Sequence, residues 1–199
     1  CALPIFGRVG RSIRLPNVDE RVGNTPFGVP PTFALKTQTS RDMEGGVRIN
    51  FDGLELQSSA YMMHLENEVH FSPATFTNIN LNPTRRYGFE NAASYRVVED
   101  VTLRSALTYT NAQFRGGAFK GKEVPLVSKW SGNIGASWNI WGKFVVLDGD
   151  LRYVGSRRFD NDQRNFQPLI PAHALVDLKV GGEIGWAYWS FTVPNLLNK

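Results

Sequence analysis

An alternation of period two, repeated along most of the chain, constrains its fold more than any other feature. In TRRYGFENAASYRV, residues 84–97, one set of alternate residues is Tyr87, Phe89, Asn91, Ala93, Tyr95 and Val97, and the other is Arg86, Gly88, Glu90, Ala92, Ser94 and Arg96. A strand sends successive side chains to opposite faces, so this segment is apolar on one side and charged on the other. The same division recurs downstream. Val101, Leu103, Leu107 and Tyr109 stand against Thr102, Arg104, Ala106 and Thr108, and Trp130, Ile134, Ala136, Trp138 and Ile140 against Lys129, Ser131, Asn133, Ser137 and Asn139. Val145, Leu147, Leu151 and Tyr153 oppose Asp148, Asp150 and Arg152, and Ala174, Val176, Leu178 and Val180 oppose Asp177 and Lys179. Trp189, Phe191 and Val193 oppose Ser190 and Thr192.

Helical periodicity is scarce, and an all-β, antiparallel chain of about nine strands is expected. The expected strands are 3–13, 42–51, 54–66, 85–97, 100–111, 126–140, 143–155, 172–182 and 187–196. Tight links at FDG (51–53), VED (98–100), WGK (141–143) and EIGW (183–186) alternate with long polar links near 14–41, 67–84, 112–125 and 156–171. Outer-membrane barrels have this arrangement, with short turns on one rim and long loops on the other. Several strands exceed the ~5–6 residues usual in globular proteins and reach the ~9–11 needed to cross a bilayer. Aromatics near strand ends, such as Tyr87 with Tyr95 and Trp130 with Trp138, fit girdles at two interfaces.

Composition removes several function classes. The 199 residues suffice for one domain, and the single cysteine, Cys1, permits neither a disulfide framework nor a multi-cysteine metal site. Cys1 reads as an arbitrary chain start rather than a lipid anchor. The net charge of +4 is spread along the chain, so no nucleic-acid partner is expected. No run approaches the ~20 apolar residues of a membrane-spanning helix, which leaves a membrane barrel open. An odd strand count does not close a barrel from one chain, so the sequence is expected to be part of a larger one.

Motifs for chemistry fail on inspection. GGAFKGKE (116–123) nearly spells a phosphate-binding loop, but Glu123 replaces the required hydroxyl and Pro125 forestalls the helix. DNDQRN (160–165) opens like a calcium loop, yet Asn165 and Pro171 stand where glycine and glutamate belong. His64, His70 and His173 are scattered, and no nucleophile–base pairing is apparent. No enzyme and no cofactor are expected.

The elements GRSIRLPNVDE (10–20), LKTQTSRDMEGGVR (35–48), NLNPTRRYGFE (80–90), IPAHALVDLKV (170–180) and VPNLLNK (193–199) together resemble the TonB-dependent outer-membrane receptors, in order and spacing and over nearly the whole chain. Ile13 and Leu197 stand where that family often has Phe, and His173 where it often has Tyr. The resemblance implies a 22-stranded barrel occluded by an N-terminal plug. The chain would then be roughly strands 13 to 21, without the plug, the first barrel half or the closing strand. It further implies TonB-dependent uptake across the outer membrane of a Gram-negative bacterium, energised by the TonB–ExbB–ExbD complex through the plug. The implied partners are outer-membrane lipid and a scarce extracellular ligand such as a ferric siderophore or another metal complex. Haem is unsupported, because residues 14–41 contain no histidine.

On this reading Tyr87, Phe89, Ala93, Tyr95 and Val97 face lipid, and Arg86, Glu90, Ser94 and Arg96 face the lumen. Candidate ligand contacts are the lumen positions Arg86, Glu90, Arg104, Asp148, Asp150, Arg152, Asp177 and Lys179. Loop candidates are Arg157, Arg158, Asp160 and Asp162, together with Lys120, Lys122 and Glu123. A passive porin and a soluble carbohydrate-binding module are the competing readings.

Overall fold

The computed structural model describes residues 4–22, 33–72 and 75–198. Cys1, the expected first-strand start at residue 3, residues 23–32 of the first long link, and Lys199 lie outside them. The elements are β1 (Ile5–Arg14), α1 (Val18–Val22), β2 (Gln38–Phe51), β3 (Leu54–Glu66), β4 (Val69–Ser72), β5 (Thr77–Asn80), β6 (Thr84–Val98), β7 (Val101–Phe114), β8 (Trp130–Trp141), β9 (Val145–Val154), β10 (His173–Ile184) and β11 (Ala187–Val193). Nine of the strands form a single sheet in the order β1-β2-β3-β6-β7-β8-β9-β10-β11, and β4 pairs with β5 in a separate hairpin. Each strand of the large sheet lies beside its sequence neighbours, antiparallel throughout.

The nine expected strands are therefore present, with shifted ends. β2 starts at Gln38 rather than 42, extending along the end of β1 to pair with Arg14. β8 starts at Trp130 rather than 126, because the preceding residues are drawn into a loop. There Val124 is buried, and Leu126 takes a φ of 62° that no strand residue adopts. The β4–β5 hairpin and α1 lie inside links expected to be irregular. At the short-turn rim, Asp52 (φ 42°) and Gly53 (φ 77°) both occupy the left-handed region. Two-residue hairpin turns require that, because its twist matches the strands it joins.

Register makes the two faces continuous across the sheet. Phe89 pairs with Tyr109, and Tyr109 with Trp130; Ala93 leads through Ser105 and Ile134 to Leu151 and Val176. The opposite parity carries Ser94, Arg104, Gly135, Asp150 and Asp177 along one such row. Most of the large hydrophobic side chains are exposed on the first face, among them Val9 (85%), Ile134 (65%) and Phe191 (64%). What is buried sits at the long-loop end. Phe114, Ala112 and Val124 cluster there with Leu81, Phe119 and Val127 packed against them.

The apolar face is banded by aromatics. Phe89, Tyr109 and Trp130 touch one another, with ring centroids 4.8–5.7 Å apart. On β8, Trp138 follows Trp130 by eight residues, ~26 Å along an extended strand, which is the height of an apolar bilayer band with some tilt. Between the bands the face is apolar except for Ser58, Asn91 and Ser105. Ser58 and Asn91 pair with each other, Ser58 Oγ donating to Asn91 Oδ1 at 2.6 Å.

Candidate functional site

On the charged face, glycines let side chains reach across an intervening strand. Arg104 on β7 donates to Asp148 Oδ1 at 3.4 Å and lies 3.8 Å from Asp150 Oδ2, both on β9. The residue between them on β8 is Gly135, where an added Cβ would stand 2.2 Å from Asp150 Oδ1. Tyr61 on β3 likewise passes over Gly88 on β6 to share a 2.8 Å hydroxyl hydrogen bond with Thr110 on β7. Arg152 donates to Asp177, whose other oxygen accepts the Asn195 backbone N–H at 2.8 Å. Arg8 pairs with Asp42 at 3.1 Å and Glu44 at 3.8 Å, and Arg86 holds both oxygens of Glu68 at 2.8 Å. A space of ≈ 410 Å³ opens between Arg8, Asp42, Glu44, Tyr61, Arg86 and Glu90. A wall of paired, opposite charges favours water and polar solutes over hydrocarbon and presents alternating sign along its height.

The long loops are tied to one another at the rim. Asn17 and Glu20 cap α1 reciprocally, Glu20 N–H donating to Asn17 Oδ1 at 2.8 Å and Asn17 N–H to Glu20 Oε2 at 2.9 Å. Arg14 donates to the same carboxylate and holds it below its ordinary range. Asn80 exchanges hydrogen bonds with the backbone of Lys36, joining the first loop to the hairpin, and His70 reaches Asn161 at 2.9 Å and Asp160 at 3.5 Å. Glu123 is the hub of the third and fourth loops. It accepts from Lys129 at 2.6 Å and Arg158 at 2.9 Å, while Asn165 brackets its backbone. Beside it a cavity of ≈ 170 Å³ is lined by Lys129, Arg157, Arg158, Thr110 and Trp130 among others. Arg157 is one of its lining residues, and the Arg157 Nη1 atom is buried with no hydrogen-bond partner among the described residues.

The candidates read from the sequence thus fall into three groups. Arg86, Glu90, Arg104, Asp148, Asp150, Arg152, Asp177 and Lys179 share the charged face, with all of these except Glu90 and Lys179 in ion pairs. Arg157 and Arg158 line the rim cavity, and Asp160 meets His70. Asp162 is spent on its own loop: it is 2% exposed, and its carboxylate accepts the Phe166 and Gln167 N–H groups at 3.0 and 3.2 Å. Sequence reading missed Arg8, Asp42, Glu44 and Glu68, because their partners are set by register and a loop hairpin that no local pattern announces. Among the described residues no group of three His, Cys, Asp or Glu side chains is placed to hold a metal ion.

A sheet that is apolar on one face, charged on the other and looped at one rim is the wall of a transmembrane β-barrel. Residues 2–198 match the family described as TonB dependent receptor-like, beta-barrel, and the chain belongs to it. Its fold is that of several solved receptors. The copper transporter OprC aligns with a TM-score of 0.79 at 18% identity, over 97% of this chain and 31% of that one. The ferric yersiniabactin uptake receptor FyuA from Yersinia pestis gives 0.75 at 18% identity, over 98% and 30%. BauA, the ferric preacinetobactin receptor from Acinetobacter baumannii, gives 0.70 at 16%, over 99% and 30%. The chain therefore spans about three tenths of the length of these structures. No curated protein matches it in sequence.

Proposed function

We propose that this chain is part of the barrel wall of a receptor in a Gram-negative outer membrane. The receptor takes up a metal complex, an anionic ferric siderophore, with energy from the TonB–ExbB–ExbD complex acting through a plug. The observation that carries the ligand class is the rim cavity. Lys129, Arg157 and Arg158 surround it with one carboxylate, Glu123, and Glu123 is already held by two of those cations. Arg157 is left to a negative guest, and guanidinium groups suit carboxylate, catecholate or hydroxamate oxygens. The similar receptors named for ferric complexes agree with this reading. The barrel itself performs no bond chemistry in it; the inward face offers the passing ligand polar, charge-balanced surface.

The test is uptake by iron-starved cells that make the complete receptor. Labelled ferric siderophore should accumulate, accumulation should stop when the proton gradient is dissipated, and Arg157→Gln should weaken binding by about tenfold, as loss of a charge-assisted contact does. Accumulation that survives an uncoupler would instead mark a passive porin.

A further inference from the structure

The charged face contains arginines, and so does the end of the apolar face. Register places Arg11 opposite Arg41, Arg41 opposite His64 and His64 opposite Arg85, a single row across β1, β2, β3 and β6. The row has the parity of the apolar face. Two residues further in along each strand lies the row Val9, Met43, Met62 and Tyr87. With strands ~4.8 Å apart the cationic row is ~14 Å wide, and it stands ~7 Å beyond Tyr87 along the strand, the depth of lipid headgroups. Arg115, from the loop after β7, joins it by donating Nη1–H to His64 Nδ1 at 3.1 Å. With Nδ1 accepting, Nε2 carries the ring proton and is a donor. Arg85 rests its guanidinium 5.5 Å from the centre of the Tyr87 ring.

Two contrasts give the row meaning. On the charged face Arg8, Arg86, Arg104 and Arg152 each meet a carboxylate, while Arg48 donates to Gln57 Oε1 at 3.1 Å and Arg96 forms no ion pair among the described residues. Arg11, Arg41, Arg85 and Arg115 are exposed and form no ion pair among the described residues. Glu66, two residues further out on β3, is the carboxylate of the same parity on these four strands. The second contrast is lateral. Strands β7 to β11 carry no Arg or Lys of the apolar-face parity at any height. Basic residues that merely anchor a barrel at the interface need no such confinement to four adjacent strands.

From this we infer that Arg11, Arg41, His64, Arg85 and Arg115 form an external binding site for a phosphorylated lipid of the outer leaflet. Its acyl chains lie against Val9, Met43, Met62 and Tyr87. Arginine presents a planar fork of donors that matches phosphate oxygens in pairs, and at headgroup depth its charge is weakly screened by water. Four guanidinium groups over this width suit a headgroup with more than one phosphate. The inference rests on the proposal that these strands cross the outer membrane with the long loops outside.

The test uses the complete receptor, extracted in detergent, with native mass spectrometry reading bound lipid A, its dephosphorylated form or inorganic phosphate. The unmodified receptor should retain lipid A. The variant combining R11Q, R41Q and R85Q should bind it at least about tenfold more weakly, because three charge-assisted contacts are lost. Removing three loop cations as K120Q, K122Q and R164Q should leave retention unchanged. The three single substitutions are read alongside, so that a combined variant that does not fold leaves a result in hand. Equal retention by the row variant, equal loss in the loop variant, equal binding of dephosphorylated lipid, or displacement by inorganic phosphate would each overturn the lipid site while leaving the receptor in the membrane. A receptor found folded in the soluble fraction would overturn the membrane reading together with the lipid site.

Discussion

Single residues in this wall are chosen by what their neighbours across the sheet must reach. Gly88 is the clearest case. An added Cβ there would lie 1.8 Å from the backbone oxygen of Tyr109, and Tyr61 reaches across this strand to bond Thr110. The obstruction is backbone, so a rotamer change does not relieve it, and the β6–β7 ladder has to move. Gly88→Ala should therefore destabilise the barrel by ~1–3 kcal/mol, the usual cost of forcing an extra methyl into a filled site. Urea unfolding of the receptor in lipid vesicles, followed by tryptophan fluorescence, would read the loss; an unchanged midpoint would show that the ladder has slack. Gly135 makes a useful comparison. What its Cβ would meet first is the end of the Asp150 side chain, so a substitution there displaces a carboxylate from Arg104 rather than a strand. Such exposed pairs contribute ~1 kcal/mol or less, and the penalty should be smaller.

At the scale of elements, the loop between β7 and β8 depends on one carboxylate. The hydrogen bond from Lys129 holds Glu123 below its ordinary value of 4.5, against the opposing effect of burial, and Arg158 adds to it. A carboxyl whose folded value is depressed stabilises the fold fully above its unfolded value. That stability is lost as pH falls through the folded value. The loop should accordingly be tight at neutral pH and loosen only below about pH 4.5. Proteolysis of residues 115–129 should accelerate on acidification in the unmodified receptor and be already fast, with little pH dependence, in Glu123→Gln. The strands themselves were legible because alternation is a local signal, whereas the loop's partners were not. DNDQRN illustrates the difference. Its carboxylates suggest a cation loop, but Asn161 and Asn165 take left-handed turns and Asp162 caps the N–H groups of Phe166 and Gln167. Composition cannot distinguish an acid that binds a cation from one that braces a turn, since both need short polar residues at close spacing. Register was equally hidden. Nothing near Arg86 in sequence announces Glu68, which is delivered by the β4–β5 hairpin, nor does any local pattern set Arg11 in line with Arg85.

For the whole molecule, the decisive fact is an inversion of the usual arrangement of core and surface. A sheet in water buries its apolar face against another layer. Here Ile134, Phe191 and Val9 stand exposed, the charged face makes its own ion pairs, and the buried side chains gather under the loops. β1 and β11 each lie at an edge of the sheet order, offering a row of unpaired backbone groups. In a barrel those edges are closed by further strands and the apolar face is covered by lipid; in water neither condition is met, and both features drive association. The 199-residue chain produced alone should therefore aggregate in detergent-free buffer, and it should gain β-structure and remain dispersed only in micelles or vesicles. Size-exclusion chromatography with circular dichroism, run with and without detergent, separates these outcomes. A folded, monodisperse monomer in plain buffer would mean that the exposed face finds cover within the chain itself, and the assignment of that face to lipid would fall with it.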